Sequence, residues 1–233
     1  MPETVLVTGA AQGLGAAIAR HMAARGDRML LIDRDAVGLA ATASACPGAL
    51  TATADLSDAE DTARAIASLP CEEVGTLIHN AAILRVEPIE RVSLSTFRAT
   101  LDVGIQAAFQ LTQAVWPGMA ARGGGALVFV SSRSGIEGFA NETAYCAAKH
   151  ALEGFSKCLA MEGEASGIVS YTITPGMLMH TPMSETTYDA EARAAWVDPI
   201  RLAPAFTWLS DRRPREFSGQ RLSAWDLSQR EAA

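Results

Sequence analysis

Tyr145 and Lys149 are the residues of this chain whose types and spacing point most directly to chemistry. Four residues apart on a helix, they would project from the same face, one turn from each other. A free phenol titrates near pH ~10, but a neighbouring ammonium favours the phenolate and lowers the phenol's pKa. Such a pair can serve as the general acid and base that interconverts an alcohol and a carbonyl group. The same spacing is common on ordinary helix surfaces, so the surrounding sequence must decide.

The composition is typical of a globular protein with room for one sizeable core. Among 233 residues, 26 acidic and 19 basic side chains give a net charge of −7, which disfavours nucleic acid as a partner. The sequence contains no run of ~18 apolar residues, so we expect no transmembrane helix and no membrane partner. The first residues lack the basic region of a signal peptide. The four cysteines lack metal-site spacing, so we expect free thiols, no metal and a cytoplasmic location.

Short apolar, β-branched runs alternate with longer alanine-rich stretches of helical character. The runs interpreted as strands are 5–8, 29–33, 50–54, 77–79, 126–131 and 169–174. The helical stretches lie near 14–25, 35–45, 58–68, 95–121 and 143–165, and Pro117 is expected to kink or end the fourth. This alternation predicts one doubly wound α/β domain over residues 1–233, a parallel sheet with helices on both faces. Periodicity fails near 177–200, where we expect a loop that acts as a lid.

The first strand leads into Thr8-Gly9-Ala10-Ala11-Gln12-Gly13-Leu14-Gly15, and a helix follows. Glycines at this junction let a pyrophosphate approach the main chain, and the helix N-terminus offers free N–H groups and the positive end of its dipole. The position between first strand and first helix favours a dinucleotide site, although glycine-rich loops alone are common.

Asp33 ends the second strand, 18 residues after Gly15. A carboxylate there can accept hydrogen bonds from the ribose hydroxyls of NAD and repel a 2′-phosphate. Arg34 follows at once and is able to contact a 2′-phosphate. The pattern therefore favours NAD over NADP without excluding NADP.

The order of these segments resembles the short-chain dehydrogenase/reductase superfamily over nearly the whole chain. The glycine loop is similar to the family's T-G-x-x-x-G-x-G, and Tyr145 with Lys149 to its Y-x-x-x-K. Ser132 stands thirteen residues before Tyr145, the family's spacing. The remaining similar segments are Asp55-Leu56, His79-Asn80-Ala81-Ala82, Pro175-Gly176 with Thr181, and a last strand within 217–226 that makes the sheet seven-stranded and mostly parallel.

The resemblance implies an NAD(P)-dependent oxidoreductase that moves a hydride between the nicotinamide and a secondary alcohol or ketone. Tyr145 would exchange the proton with the substrate oxygen, Lys149 would assist it, and Ser132 would orient that oxygen. The implied cofactor-binding residues are Gly9, Gln12, Gly13, Leu14, Gly15, Asp33, Arg34, Asp55, Leu56, Asn80, Ala81, Ala82, Tyr145, Lys149, Pro175, Gly176 and Thr181. The resemblance also implies a homodimer or homotetramer, formed through the two long helices.

Three departures from the family pattern bear on function. Gly104 stands where the family carries a catalytic asparagine, so either the proton relay is rebuilt with another residue or water, or catalysis is impaired. Glycine there also makes room for substrate or another side chain. His79 replaces the first asparagine of N-N-A-G, and we expect it to be a packed strand-end residue. The segment before Thr181 is one residue longer than usual and contains His180.

Candidate substrate contacts are Arg133, Met177 and His180, and each has an ordinary surface or packing role as its alternative. Two functions of different classes remain open: an alcohol dehydrogenase or ketone reductase, and a dinucleotide-binding sensor or scaffold that has lost turnover, as Gly104 would allow. Isomerase or dehydratase chemistry through a transient oxidation is a third.

Overall fold

Seven parallel strands form one sheet in the computed structural model, which describes residues 2–187 and 192–231. Tyr188 of the predicted lid lies outside these ranges. The strand order is β3-β2-β1-β4-β5-β6-β7, and all six pairings are parallel. The strands are β1 (Thr4–Thr8), β2 (Arg28–Asp33), β3 (Leu50–Thr53), β4 (Thr76–His79), β5 (Gly125–Val130), β6 (Ile168–Thr174) and β7 (Arg221–Ser223). The predicted doubly wound α/β fold is confirmed.

The helices cover both faces of this sheet because successive strand residues point to opposite sides. Val5 and Val7 of β1 belong to one buried cluster and Leu6 to the other. In the described ranges the helices are α1 (Gly13–Ala23), α2 (Ala36–Ser44), α3 (Ala59–Ser68), α4 (Leu94–Leu101), α5 (Ala107–Ala121), α6 (Thr143–Gly163), α7 (Pro182–Thr187), α8 (Ala203–Arg212) and α9 (Ala224–Glu231). The first cluster takes residues from α1, α8 and α9, and the second from α3, α5 and α6.

The strand order reverses at β1. From β1 the chain runs outward through β2 and β3, then returns to place β4 on the other side of β1. Connections therefore leave in opposite directions from the carboxyl ends of β1 and β4, and in open α/β sheets a ligand crevice lies at such a point. The glycine loop follows β1 and residues 80–82 follow β4, so both border this crevice.

The structure corrects the sequence-based expectations at three places. The helix expected over 95–121 is divided by a π-helical turn at Asp102–Gln106, and Pro117 does not end it, because α5 continues to Ala121. The segment 177–200 contains α7, whose start is capped by Thr181 Oγ1 accepting from the Ser184 amide at 3.1 Å. Helices α8 and α9 were not predicted.

Gly118 of α5 lies against the backbone of the turn Cys71–Glu73, and a Cβ there would be 2.1 Å from the carbonyl oxygen of Glu72. We expect Gly118→Ala to cost at least about 1–3 kcal/mol in unfolding free energy, because that backbone must move. Gly154, exposed on α6, has no atom within 4 Å of such a Cβ. Gly154→Ala should therefore stabilise by up to about 1 kcal/mol through helix propensity.

Urea unfolding followed by circular dichroism measures both variants. Equal midpoints for Gly118→Ala and Gly154→Ala would contradict the close approach of α5 to this turn.

Candidate active site

A cleft opens at the carboxyl ends of β1, β2, β4 and β5, where the strand order reverses. Most of the predicted cofactor residues line it together with the Tyr145–Lys149 pair. The lining residues are Gly9, Gln12, Gly13, Leu14, Asp33, Arg34, Ala54, Asp55, Leu56, Asn80, Ala81, Ala82, Ile83, Val103, Val130, Ser131, Tyr145, Lys149, Pro175, Met179, Thr181, Pro182 and Met183. Six predicted site residues are not among them: Gly15, Ser132, Arg133, Gly176, Met177 and His180.

The glycine loop is held close to the start of α1. A Cβ at Gly15 would lie 2.1 Å from the carbonyl oxygen of Gly9, so only glycine permits this approach. The amide of Asn80 fixes the loop from β4, since its Nδ2 donates to the carbonyl oxygens of Thr8 and Gly9 at 3.1 and 3.2 Å. Gln12 makes no side-chain cap at the N-terminus of α1. The helix therefore presents uncapped N–H groups to the cleft, which suits a pyrophosphate.

Asp33 faces the same cleft at the end of β2 and is held by two backbone amides. Its Oδ2 accepts from the Ala11 amide at 2.9 Å, and its Oδ1 accepts from the Asp35 amide at 3.0 Å. The first bond ties the carboxylate to the glycine loop. Arg34 also lines the cleft. A carboxylate fixed here suits a ribose diol, because its remaining lone pairs accept hydrogen bonds from hydroxyl groups.

Asp55 borders the cleft beyond β3. Its Oδ1 accepts from the Ser57 amide at 2.9 Å and from the Ser57 hydroxyl at 2.8 Å. The bond from the Ser57 amide holds the pKa of Asp55 below its usual value, against the opposing effect of burial. Asp55 is therefore a fixed anionic acceptor at the end of the cleft where Leu56 supplies an apolar surface.

Lys149 is the most strongly perturbed cation of the cleft. Only 2% exposed, it donates from Nζ to the Val130 carbonyl at 2.6 Å. Burial lowers the pKa of Lys149 to about 8, with Glu153 acting in the opposite direction. Its Nζ lies 5.4 Å from the centroid of the Tyr145 ring. Tyr145 and Lys149 therefore lie close together and both line this cleft.

Ser132 lies immediately after β5, next to the cleft-lining Ser131. Its Oγ accepts from the Ser134 amide at 3.2 Å and donates to Ser134 Oγ at 3.3 Å. Ser134 Oγ donates in turn to Glu142 Oε2 at 2.9 Å. These weak, long bonds leave the Ser132 hydroxyl able to exchange its partner for a substrate oxygen.

His79 is a packed residue, as expected from the sequence. It is fully buried, with Nδ1 3.1 Å from Thr8 Oγ1 and Nε2 3.0 Å from the Val103 carbonyl. Burial, and to a lesser degree the charge of Lys149, lowers the pKa of His79 to about 4. The ring is therefore neutral near pH 7. The Val103 carbonyl can only accept, so Nε2 carries the proton and Nδ1 accepts from Thr8.

Gly104 lies within the π-helical turn, beside α6. A Cβ at Gly104 would be 2.8 Å from Cβ of Ala148, so the Ala148 methyl fills the space that a larger residue 104 would need. The π-helical turn is retained without an asparagine side chain, and His79 binds one of its carbonyls.

Comparison with known proteins decides the family. The family model described as short chain dehydrogenase matches residues 3–192. This chain belongs to the short-chain dehydrogenase family. As a family member it is a pyridine-nucleotide-dependent oxidoreductase acting on CH–OH groups, with NAD(H) or NADP(H) as cofactor.

Three relatives illustrate what the dehydrogenase is similar to. It is 33% identical over 195 residues to L-xylulose reductase from Bos taurus, covering 83% of this chain and 75% of the relative. It is 33% identical over 221 residues to D-threitol dehydrogenase from Mycolicibacterium smegmatis, covering 88% and 85%. A Beutenbergia cavernae structure, described as an NAD(P)-dependent gluconate 5-dehydrogenase with bound NADP, superimposes with a TM-score of 0.84 at 29% identity, covering 96% of each chain.

These relatives are named as enzymes, and no finding supports the impaired sensor that Gly104 raised as an alternative. Within the described residues no group of side chains is arranged to hold a metal ion. In the same ranges, none of the dehydrogenase's helices has the length and apolarity needed to cross a membrane.

None of the three predicted substrate contacts is among the residues that line the cleft. Arg133 is placed over the ring of Phe139 at 5.2 Å. Met177 packs against the core cluster beneath α8 and α9. His180, an exposed residue of segment 177–200, pairs with Glu185 at 2.7 Å. Their roles as substrate contacts stay predictions.

Sequence reasoning missed several lining residues of the dehydrogenase. Ile83, Val103 and Val130 are apolar, and nothing in their spacing separates them from core residues. Met179 and Met183 were visible as part of a methionine-rich segment, but Met183 lies on α7, which was not predicted. Ser131 immediately precedes a predicted site residue, and the strand alternation could have placed it.

We expect the buried neutral His79 to make the dehydrogenase sensitive to acid. An unfolded histidine titrates near ~6.5, and the folded pKa of His79 is about 4, so the unfolded state binds more protons between these values. Stability contributed by His79 is therefore present above pH ~6.5 and lost as pH falls toward 4, on the order of 3 kcal/mol in all.

When the unfolding free energy is measured from pH 7 to 4, it should fall less steeply with decreasing pH in His79→Asn than in the wild type. His150→Asn, which alters an exposed histidine, should leave this pH dependence unchanged. An equal loss of unfolding free energy between pH 7 and 4 in the wild type and in His79→Asn would contradict the neutral buried state of His79.

Proposed function

We propose that this dehydrogenase transfers a hydride between NAD(H) and a secondary alcohol or ketone, with Tyr145 as the general acid and base. The observation that carries the proposal is that Tyr145 and Lys149 line the same cleft as the glycine loop and Asp33. A proton-transferring group and a dinucleotide site that share one cleft can act on one substrate carbon.

The proposed roles follow from the contacts of each residue. In ketone reduction the Tyr145 phenol donates its proton to the substrate oxygen, and in alcohol oxidation the phenolate accepts it. The Lys149 ammonium, held by the Val130 carbonyl, stabilises that phenolate. Ser132 would orient the substrate oxygen by exchanging its long bond to Ser134. The nicotinamide, when bound, supplies or accepts the hydride.

We assign the pyrophosphate to the loop Gly9–Gly15 and the start of α1, and the adenosine ribose to Asp33. Asp55 and Leu56 would contact the adenine ring. The nicotinamide half would lie between the residues after β4 and those after β6. These are Asn80, Ala81, Ala82, Pro175, Gly176 and Thr181.

The substrate class we propose is a short polyol or its keto form. The support is that the relatives carry the names of reductases or dehydrogenases of xylulose, threitol and gluconate. Segment 177–200 would act as the lid over this substrate, and Met179 and Met183 of that segment already border the cleft.

A panel of alcohols and ketones followed by NADH absorbance tests this function. We expect turnover of four- to six-carbon polyols or ketoses, and loss of at least about 100-fold in kcat in Tyr145→Phe, which removes the proton donor. The control is Tyr171→Phe. Tyr171 is buried and donates to the Pro214 carbonyl at 3.0 Å, so its loss should cost stability rather than rate. Full activity in Tyr145→Phe would exclude the mechanism.

The cofactor assignment, NAD rather than NADP, rests on the fixed carboxylate of Asp33. A 2′-phosphate bound near Asp33 would be repelled by the negative charge of its carboxylate. Both oxygens of that carboxylate are already held in place by backbone amides. Arg34 places a positive charge next to this carboxylate and would partly offset the repulsion. The preference for NAD over NADP should therefore be limited.

We expect wild-type protein to bind NAD more tightly than NADP in isothermal titration. Asp33→Asn should reduce this preference by about tenfold or more, because it removes the repelling charge. Asp35→Asn is the matched control, since Asp35 caps α2 two residues further on and asparagine is also a good cap. Tighter binding of NADP by wild type would refute the assignment.

We also propose a cytoplasmic homodimer or homotetramer. Leu94, Phe109 and Met161 on the helices α4, α5 and α6 are 62%, 46% and 78% exposed, which supports association through these helices. Free thiols at Cys46, Cys71, Cys146 and Cys158 support a reducing compartment. Light scattering in solution tests the assembly.

A further inference from the structure

A buried carboxylate lies directly behind the proposed catalytic residues. Glu153 follows Lys149 by one turn of α6 and is 7% exposed. Its Oε1 accepts from Ser131 Oγ at 2.5 Å, and its Oε2 accepts from Thr172 Oγ1 at 2.6 Å. The carboxylate therefore joins the end of β5 to β6.

Arg221 of β7 completes the cluster from the other side. Its Nε lies 3.3 Å from Glu153 Oε1, and its Nη2 donates to the Ser132 carbonyl at 3.0 Å. One guanidinium thus neutralises the carboxylate and holds the backbone of the residue proposed to orient the substrate. The side chain of Arg221 is about a quarter exposed, so the pair reaches from beneath the cleft to the surface.

Stability alone is a poor reason for this arrangement. Removing a carboxylate from water is costly, and well-packed apolar residues usually stabilise a core as well as a buried ion pair does. The contribution of the pair is instead to fix the positions of neighbouring residues. Ser131 and Ser132 follow β5, and Glu153 binds the Ser131 hydroxyl while Arg221 binds the Ser132 carbonyl. Lys149 stands one turn before Glu153 on the same helix.

We propose that Glu153 and Arg221 are positioning residues, which together hold the Ser132 backbone in place and set the charge behind Lys149. The proposal rests on the roles proposed above for Ser132, Tyr145 and Lys149. Neither Glu153 nor Arg221 lines the cleft, so they act through those residues and not on substrate.

The charges around the pair give the expected direction of its effect on pH dependence. Glu153 raises the pKa of Lys149 against the larger effect of burial. The other titratable groups that face this region are His79 from β4, Tyr145, His150 and Lys157 from α6, and Arg221 from β7. Loss of the Glu153 charge should ease deprotonation of the Tyr145–Lys149 unit, and loss of the Arg221 charge should oppose it.

The test is the pH profile of alcohol oxidation in Glu153→Gln, Arg221→Gln and the double variant. We expect the midpoint of kcat/KM to move down in Glu153→Gln and up in Arg221→Gln, each by about half a pH unit or more. The double variant should return toward the wild-type midpoint, because it removes one charge of each sign. In all three kcat should fall by about tenfold, with KM for the cofactor nearly unchanged. Glu162→Gln, which removes an exposed charge near the far end of the same helix, should change neither.

Arg221→Lys separates position from charge. It keeps the positive charge but loses the planar fork that reaches both the carboxylate and the Ser132 carbonyl. We expect a lower kcat at an unshifted midpoint. This variant and Arg221→Gln also carry the test if Glu153→Gln does not fold, which thermal unfolding establishes beforehand.

Unchanged midpoints and kcat in the folded variants would overturn the proposal. Midpoint shifts of the same sign in Glu153→Gln and Arg221→Gln would also overturn it, because a merely structural disturbance has no reason to follow charge. Retained turnover in Tyr145→Phe would instead refute the proposed function. If Tyr145→Phe is inactive but the Glu153 and Arg221 variants keep the wild-type kcat and midpoint, the proposed function stands and only this inference is refuted.

Discussion

The burial of the Lys149 ammonium is the constraint on which the site depends. An isolated ammonium out of water is unfavourable, and burial lowers its pKa to about 8. It remains in place because the Val130 carbonyl, at the end of β5, accepts from it at 2.6 Å. That bond requires α6 to dock closely on β5, and the same docking brings Tyr145 to the cleft. The acid–base pair is therefore a consequence of helix–sheet packing as much as of its own spacing.

Small residues make this docking possible. Ala148, adjacent to Lys149, lies where a Cβ at position 104 would be only 2.8 Å from its methyl group. A larger residue on either side would push α6 away from the π-helical turn, and the Lys149 ammonium would move with it. The glycine at position 104 and the close packing of α6 beside Lys149 therefore depend on the same contact, the one between Gly104 and Ala148.

The sequence predicted the parts of the site that depend on local patterns. Apolar β-branched runs placed the central strands to within a residue or two, because strands buried on both faces have few alternatives. The glycine loop and Asp33 were predictable since their roles require particular residues next to a strand end. His79 could be predicted as packed, but its link to Val103 could not, because that partner is 24 residues away and exposed by a π-helical turn. The pairing of Glu153 with Arg221 likewise joins α6 to a three-residue strand that only the fold brings together.

Gly104 shows how a missing side chain can leave a structural feature intact. An asparagine at this position would be able to stabilise an irregular helix through its own amide group. Here the irregular turn persists at Asp102–Gln106, and the hydrogen bond comes from outside it, from Nε2 of a histidine that Thr8 holds in one tautomer. Because the His79 ring is neutral above its low pKa, it donates to the turn without placing a second positive charge beside Lys149. A lysine or arginine in its place would supply the donor but would disfavour the Lys149 ammonium. A neutral imidazole therefore satisfies both demands, and the absence of the asparagine does not by itself argue for lost turnover.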